Sequence, residues 1–182
     1  MTNTITKRKL SVKVQTIGAA AAIITAVALP QLLHVLGAVS GHGSAFGEML
    51  LPMHLPIILA GLLAGSYAAG AAGVLSPLIS FCLTGMPASA MLPFMMIELA
   101  VYGICSGALR EKNMPCIAKV FIAQLSGRIV RAAAILIGFY GFSAAVAPSV
   151  IISSIKTGIM GILLQLVLIP VIVRTVKKAD NE

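Results

Sequence analysis

The sequence predicts an all-α, polytopic membrane protein with six transmembrane helices and both termini in the cytoplasm. Of its 182 residues, 59% are hydrophobic and only 10% are charged, whereas soluble domains carry roughly 25% charged residues. Several apolar runs reach the roughly 20 residues that a helix needs to cross a bilayer. The lysines and arginines lie at the ends of these runs, as membrane topology requires. They form no solvent-facing patch, so we do not expect nucleic-acid binding.

We expect a single integral-membrane domain over residues 1–182, with a basic N-terminus at 1–13, a helix bundle at 14–173 and a tail at 174–182. The stretch from Leu50 to Gly85 contains no charged residue. As one helix it would reach about 50 Å, which exceeds the ~30 Å hydrocarbon core. It must therefore break, and the weak points at Gly65-Ser66 and from Gly70 to Gly73 predict two short spans. The six predicted spans are Val14–Leu36, Pro52–Ala68, Gly73–Leu83, Met91–Leu109, Ile117–Phe139 and Val150–Val173.

The distribution of basic residues orients these spans. The loops on one side of the membrane, at 37–48, 85–90 and 141–149, contain no Lys or Arg. Basic residues mark the cytoplasmic side of a membrane protein, so both termini are expected in the cytoplasm, at a bacterial cytoplasmic membrane. The bases on the cytoplasmic side are Lys7, Arg8, Lys9, Lys13, Arg110, Lys112, Arg174, Lys177 and Lys178.

Four charged residues fall inside the predicted spans, where each costs roughly 3 kcal/mol on insertion scales. Such charges persist where they face a partner, a cavity or a ligand. Three of them are basic, and topology places all four in the middle or outer half of the membrane. They are Glu98, Arg128, Arg131 and Lys156.

Neighbouring polar residues extend this group into a predicted pocket. Gln124, Arg128 and Arg131 share one face of the fifth span, and Glu98 and Tyr102 share one face of the fourth. One alternative is an internal ion-pair network in which the lysine snorkels outward. One carboxylate cannot neutralise three cations, however, so we expect an anionic or zwitterionic solute. The candidate solute-binding residues are Glu98, Tyr102, Gln124, Arg128, Arg131, Lys156 and His54.

The outer loop after the first span is rich in glycine, serine and histidine. Gly41, His42 and Gly43 are suited to a mobile lid over a pocket, and the alternative is a plain connector. The histidines at 34, 42 and 54 lack metal-ligand spacing, so no metal and no cofactor are expected. The run Pro52–Pro56 should distort the second span, since irregular backbone at membrane depth is tolerated where it lines a cavity.

Small residues form a ridge near the cytoplasmic end of the first span, at Gly18, Ala22 and Ala26. Small-x-x-x-small patterns let a second helix approach closely in a membrane. The partner helix can belong to the same chain or to another protein, and the sequence leaves both alternatives open.

Five segments of the chain are similar to the sequences of a known family: Leu51–Pro56, Leu59–Gly65, Ser76–Leu78, Thr84–Pro87 and Glu98–Gly103. Through them the chain resembles the substrate-binding S component of an energy-coupling factor (ECF) vitamin transporter. The resemblance implies a bundle that holds one vitamin-like molecule in its outer half, beneath the loop after the first helix. It implies docking, through the ridge on the first helix, onto a membrane coupling subunit that carries two ATPases. The positive pocket favours a carboxylate-bearing, pantothenate-like solute.

Two other classes of function remain open. A stand-alone secondary transporter or channel is one, although hydropathy shows no inverted repeat. A membrane enzyme that acts on a lipid-linked phosphate is the other. It would need a general base or metal carboxylates beside the arginines, and Glu98 is the one acid deep in the predicted spans. No phosphate-binding Walker A sequence and no hydrolase motif are present, so we do not expect an enzyme.

Overall fold

The computed structural model of the chain describes residues 10–41 and 49–179, and these residues form an all-helical bundle. Six helices of 11 to 31 residues run through the described part of the chain. In chain order they are α1 (Val12–Val39), α2 (His54–Ala64), α3 (Ser66–Thr84), α4 (Leu92–Ala108), α5 (Cys116–Phe142) and α6 (Ser149–Ala179).

Four of these helices, α1, α3, α5 and α6, are long and apolar enough to cross a membrane. The other two, α2 and α4, are apolar but shorter, with 11 and 17 residues. The prediction of an all-helical fold is confirmed, and these four helices have the length and composition that a membrane protein needs. The short α2, about 16 Å long at ~1.5 Å per residue, is the largest departure from the predicted spans.

The break in the long apolar stretch lies at Gly65. This residue has a φ of 93°, which a residue with a side chain rarely adopts, and it separates α2 from α3. The expected spans Pro52–Ala68 and Gly73–Leu83 therefore need correction: the first helix is shorter, and the second begins at Ser66.

The second predicted break, at the glycines between 70 and 73, is continuous helix. A Cβ atom at Gly73 would collide with the backbone of Leu99 in α4, so this glycine lies where α3 and α4 approach backbone to backbone. Close packing of this kind stabilises helix pairs in membranes. The glycines at positions 70 and 73 therefore indicate a close contact between two helices, not the end of a helix.

The short helix α2 lies at the centre of the bundle. It packs against α1, α3, α4 and α6, while α3, α4 and α5 each pack against the next helix in the chain, and α1 packs against α3. Ile57, Ile58 and Leu99 have no solvent exposure and form the middle of the main core together with Tyr102. Because α2 is short, the space above its N-terminus is not filled by helix.

The start of α1 and the end of α6 lie at the same end of the bundle. Gly65 comes close to Leu10, and the Lys119 ammonium donates a hydrogen bond of 2.8 Å to the Arg110 carbonyl. Cys116 lies within electrostatic reach of Arg174 and Lys177, so the beginning of α5 meets the end of α6 there. Most of the basic residues of the described chain lie at or beside this end, which we call the basic end.

Candidate functional site

A cavity of about 400 Å³ opens at the end of the bundle opposite the basic end, in the space above α2. All six helices contribute to its wall, together with the loop between α3 and α4. Its volume lies at the lower end of the range that small-molecule sites occupy, ~300–1,000 Å³. Its polar lining residues are Gln31, His34, His54, Ser80, Glu98, Arg131, Ser153, Ser154 and Thr157.

An irregular segment, Leu51–Met53, forms part of this wall immediately before α2. Leu51 has a positive φ of 49°, which is uncommon for a residue with a side chain. Its carbonyl accepts hydrogen bonds from the backbone of His54 and from the side chain of Gln165, both at 3.1 Å. The sequence predicts distorted backbone at the Pro52–Pro56 run. The structure identifies Gln165 as the side chain that binds this segment.

Gln124 supports this segment and does not line the cavity. Its side-chain amide is buried and donates a hydrogen bond of 2.9 Å to Gln165, which in turn binds Leu51. The expected place of Gln124 in the pocket is therefore corrected to a supporting one. Gln165 was missed, although a lone glutamine in the run Val150–Val173 was a visible signal.

Glu98 is the centre of a buried polar cluster at the cavity floor. Tyr102 donates a hydrogen bond of 2.7 Å to Oε1, and Arg131 donates one of 3.0 Å to Oε2. His54 Nε2 lies 3.8 Å from the same Oε2, and its ring packs at 5.3 Å against the ring of Tyr102. The internal ion-pair alternative thus holds for Glu98 and Arg131.

Arg131 is the member of this cluster that reaches the cavity most openly. Its side chain is 14% exposed, whereas that of Glu98 is 1% exposed. A guanidinium has five N–H donors, and the ion pair with Glu98 uses only one nitrogen. Arg131 can therefore hold Glu98 and still donate hydrogen bonds to a molecule in the cavity.

Arg128 lies behind the floor of the main cavity. With Glu98, Arg131 and Ser154 it lines a second space of about 10 Å³, which is close to the size that holds one water molecule. The Nε atoms of both arginines are buried and have no hydrogen-bond partner among the described residues. Arg128 thus adds positive charge to the floor without lining the main cavity.

Lys156 does not line either cavity, which corrects the expectation that it converges with the arginines. The cavity face of α6 contains Val150, Ser153, Ser154 and Thr157, and Lys156 is offset from it by about one residue, or 100°, of helix rotation. The lysine is exposed. A long basic side chain in this position can extend towards the membrane surface.

Three hydroxyl groups on α6 face the cavity and were missed by the sequence reasoning. Their hydrogens are already donated to α6 carbonyls: Ser153 to Val150 at 3.2 Å, Ser154 to Ile151 at 3.1 Å, and Thr157 to Ser153 at 3.0 Å. Each oxygen keeps free acceptor capacity. The signal was the spacing of positions 153, 154 and 157, which places them on one helix face.

The rest of the wall is mostly apolar, with four methionines, Met53, Met86, Met91 and Met95. No family model, curated protein or solved structure matches this chain. The chemistry of the site is therefore inferred from its own side chains. Among the described residues, no group of three or more His, Cys, Asp or Glu could hold a metal ion.

The predicted lid lies mostly outside the described residues. Of its three residues, Gly41 is described and exposed. It follows the C-terminal end of α1 and has a positive φ of 75°. His42 and Gly43 fall outside the described part of the chain.

His34 and His54 both line the cavity, and both ring nitrogens of His54 are buried without a hydrogen-bond partner among the described residues.

The small-residue ridge on α1 packs within the chain. Ala22 and Ala26 are 5% and 0% exposed and belong to the main core. Gly18 lies against Ala64 at the end of α2. Helices of the same chain therefore cover Ala22 and Ala26, while Gly18 is half-buried.

Proposed function

We propose that the protein is the substrate-binding S component of an ECF-type importer in a bacterial cytoplasmic membrane. It captures a small, vitamin-like solute from outside and delivers it to a coupling subunit with two ATPases. The observation that carries the proposal is the cavity of about 400 Å³ above α2, where Glu98 orients Arg131 towards the open space. The resemblance in segments such as Leu51–Pro56 and Glu98–Gly103 supports it.

The proposal includes six membrane crossings with both termini in the cytoplasm. In this topology the four longer helices and the shorter α2 and α4 provide the six crossings. The basic end faces the cytoplasm. The cavity then opens outward. The irregular Leu51–Met53 segment sits at membrane depth, where a cavity and the Gln165 side chain satisfy its backbone.

A binding role accounts for the site better than a channel or an enzyme does. Beneath the cavity, the fully buried Ile57, Ile58 and Leu99 close the middle of the bundle, so the described helices leave no continuous pore. Glu98 is the one carboxylate among the lining residues, and it is already engaged by Tyr102 and Arg131. In this proposal the energy for import comes from the partner ATPases.

Reconstitution in proteoliposomes tests this proposal. The purified chain alone should bind one solute molecule per chain and accumulate none inside the vesicles. Uptake should appear when a coupling subunit and two ATPases are added with ATP. Uptake by the chain alone would instead establish a stand-alone transporter, and absence of any solute binding would reject the binding component.

A further inference from the structure

We propose that the solute is a small monocarboxylic acid with hydroxyl or amide N–H groups on an apolar body. The carboxylate lies against Arg131 at the cavity floor, and the hydrogen-bond donors face the α6 hydroxyls. The proposal rests on the proposed function, because it names the molecule that the binding component holds. Three features of the cavity support it: charge, hydrogen-bond capacity and wall composition.

The charge of the floor favours a single negative charge on the solute. Glu98 neutralises one of two adjacent arginines, and Arg128 remains without a carboxylate partner among the described residues. The other described acid, Glu111, follows α4 at the basic end. One carboxylate would therefore make the floor neutral, whereas a neutral solute would leave an uncompensated buried cation, which is costly.

The geometry of Arg131 favours a carboxylate as the group that carries this charge. Tyr102 and Arg131 both bind Glu98, so the guanidinium is held in place before the solute arrives. A fixed guanidinium fork matches a planar carboxylate with two parallel hydrogen bonds. Such preorganisation reduces the entropy that binding would otherwise cost.

The α6 wall favours donors on the solute. The hydroxyls of Ser153, Ser154 and Thr157 donate to α6 carbonyls, so their oxygens are available to accept. A solute that carried only acceptors could bind these hydroxyls only if they gave up their hydrogen bonds within α6. Hydroxyl or amide N–H groups on the solute satisfy them.

The remaining wall requires an apolar body of modest size. Met53, Met91 and Met95 offer flexible, polarisable surface that adapts to an irregular ligand. The lining residues include no Phe, Tyr or Trp, so the wall offers no broad aromatic face on which a large ring system could stack. A compact, largely aliphatic molecule fits this surface.

Pairs of compounds in which a neutral group replaces the carboxylate test the proposal on the unaltered protein. Pantothenate carries a carboxylate, an amide N–H and two hydroxyls, and panthenol replaces the carboxylate by a neutral alcohol. Lipoate and lipoamide form a second pair without hydroxyl donors on the body. Isothermal titration in detergent should show the acid of a pair binding at least about tenfold more tightly than its neutral partner. Equal or tighter binding of the neutral partner would overturn the proposal.

Two variants separate the carboxylate contact from the donor contacts. Arg131→Gln should weaken binding of the acid at least about tenfold, while Lys156→Gln, on the outward face of α6, should leave it unchanged. Thr157→Val keeps the shape and removes the acceptor, so pantothenate should lose several-fold in affinity and lipoate should not. Equal effects of Thr157→Val on both acids would contradict the predicted donor contact.

The molecule that co-purifies with the chain distinguishes failure of this proposal from failure of the proposed function. Mass spectrometric identification of a single carboxylate with hydrogen-bond donors would support both. A neutral or phosphorylated molecule would overturn the monocarboxylate and leave the binding component standing. If nothing co-purifies and none of the four compounds binds, the binding function itself is rejected.

Discussion

At the scale of single residues, Glu98 is the side chain on which the site depends. It is almost fully buried and binds Tyr102 and Arg131, with His54 close by. The sequence singled out these four residues because polar groups within membrane spans are costly and need partners. It placed Lys156 with them, which was wrong, since every face of α6 carries apolar residues and the pattern does not fix which face points inward.

Glu98→Gln should strongly destabilise the fold. The substitution keeps the shape of the side chain but leaves Arg131 and the adjacent Arg128 without a counter-charge. Removing one partner of a buried ion pair costs about 3–5 kcal/mol, which thermal unfolding in detergent would report as a large fall in Tm. The matched control is Glu111→Gln at an exposed loop position, expected within about 0.5 kcal/mol of the parent. Equal Tm values for the two variants would contradict the role given to Glu98.

At the scale of elements, the short helix α2 and the irregular segment before it create the cavity. Hydropathy predicted where apolar helices occur, since their length and composition are set by the bilayer. It could not predict that α2 begins at His54, because that start depends on the Leu51 carbonyl meeting Gln165 from a helix far along the chain. Long-range contacts of this kind leave no local signal.

Gln165→Leu should loosen this segment. The substitution leaves the Gln124 amide without its partner and removes one of the two hydrogen bonds that the Leu51 carbonyl accepts, at a cost of about 1–3 kcal/mol in unfolding free energy. Solute affinity should fall as well, because Leu51 lines the cavity. Adding Gln124→Leu removes the stranded amide, so the double variant should lose less stability than the sum of the two single variants. Strictly additive losses would show that the three groups do not act together.

Gly73→Ala should destabilise the contact between α3 and α4. The added methyl group meets the backbone of Leu99, and overpacking of this kind costs about 1–3 kcal/mol. Gly141 in α5 has open space where its Cβ would lie. Gly141→Ala should therefore be neutral or raise stability by up to about 1 kcal/mol. The unfolding midpoints of the two variants can be measured in detergent. Equal midpoints would contradict the close approach of α3 to α4 at Gly73.

At the scale of the whole molecule, the exterior is apolar and a cluster of polar groups around Glu98 lies at one end of the interior. Ile24, Ile137 and Val167 are each more than 60% exposed, and soluble proteins rarely expose so much apolar surface. The inner polar groups surround a cavity that is closed beneath by the main core. This arrangement can hold a solute at one end but has no described path through the bundle.

The most direct test of this account is native mass spectrometry of the protein released from detergent. It compares the parent protein with two tryptophan variants. Ser153 lines the cavity, so Ser153→Trp should fill it, while the neighbouring Ile152 is 62% exposed and does not line it. The account predicts one small molecule bound to the parent and to Ile152→Trp, and none bound to Ser153→Trp. One molecule on all three proteins would place the solute elsewhere and contradict the central claim.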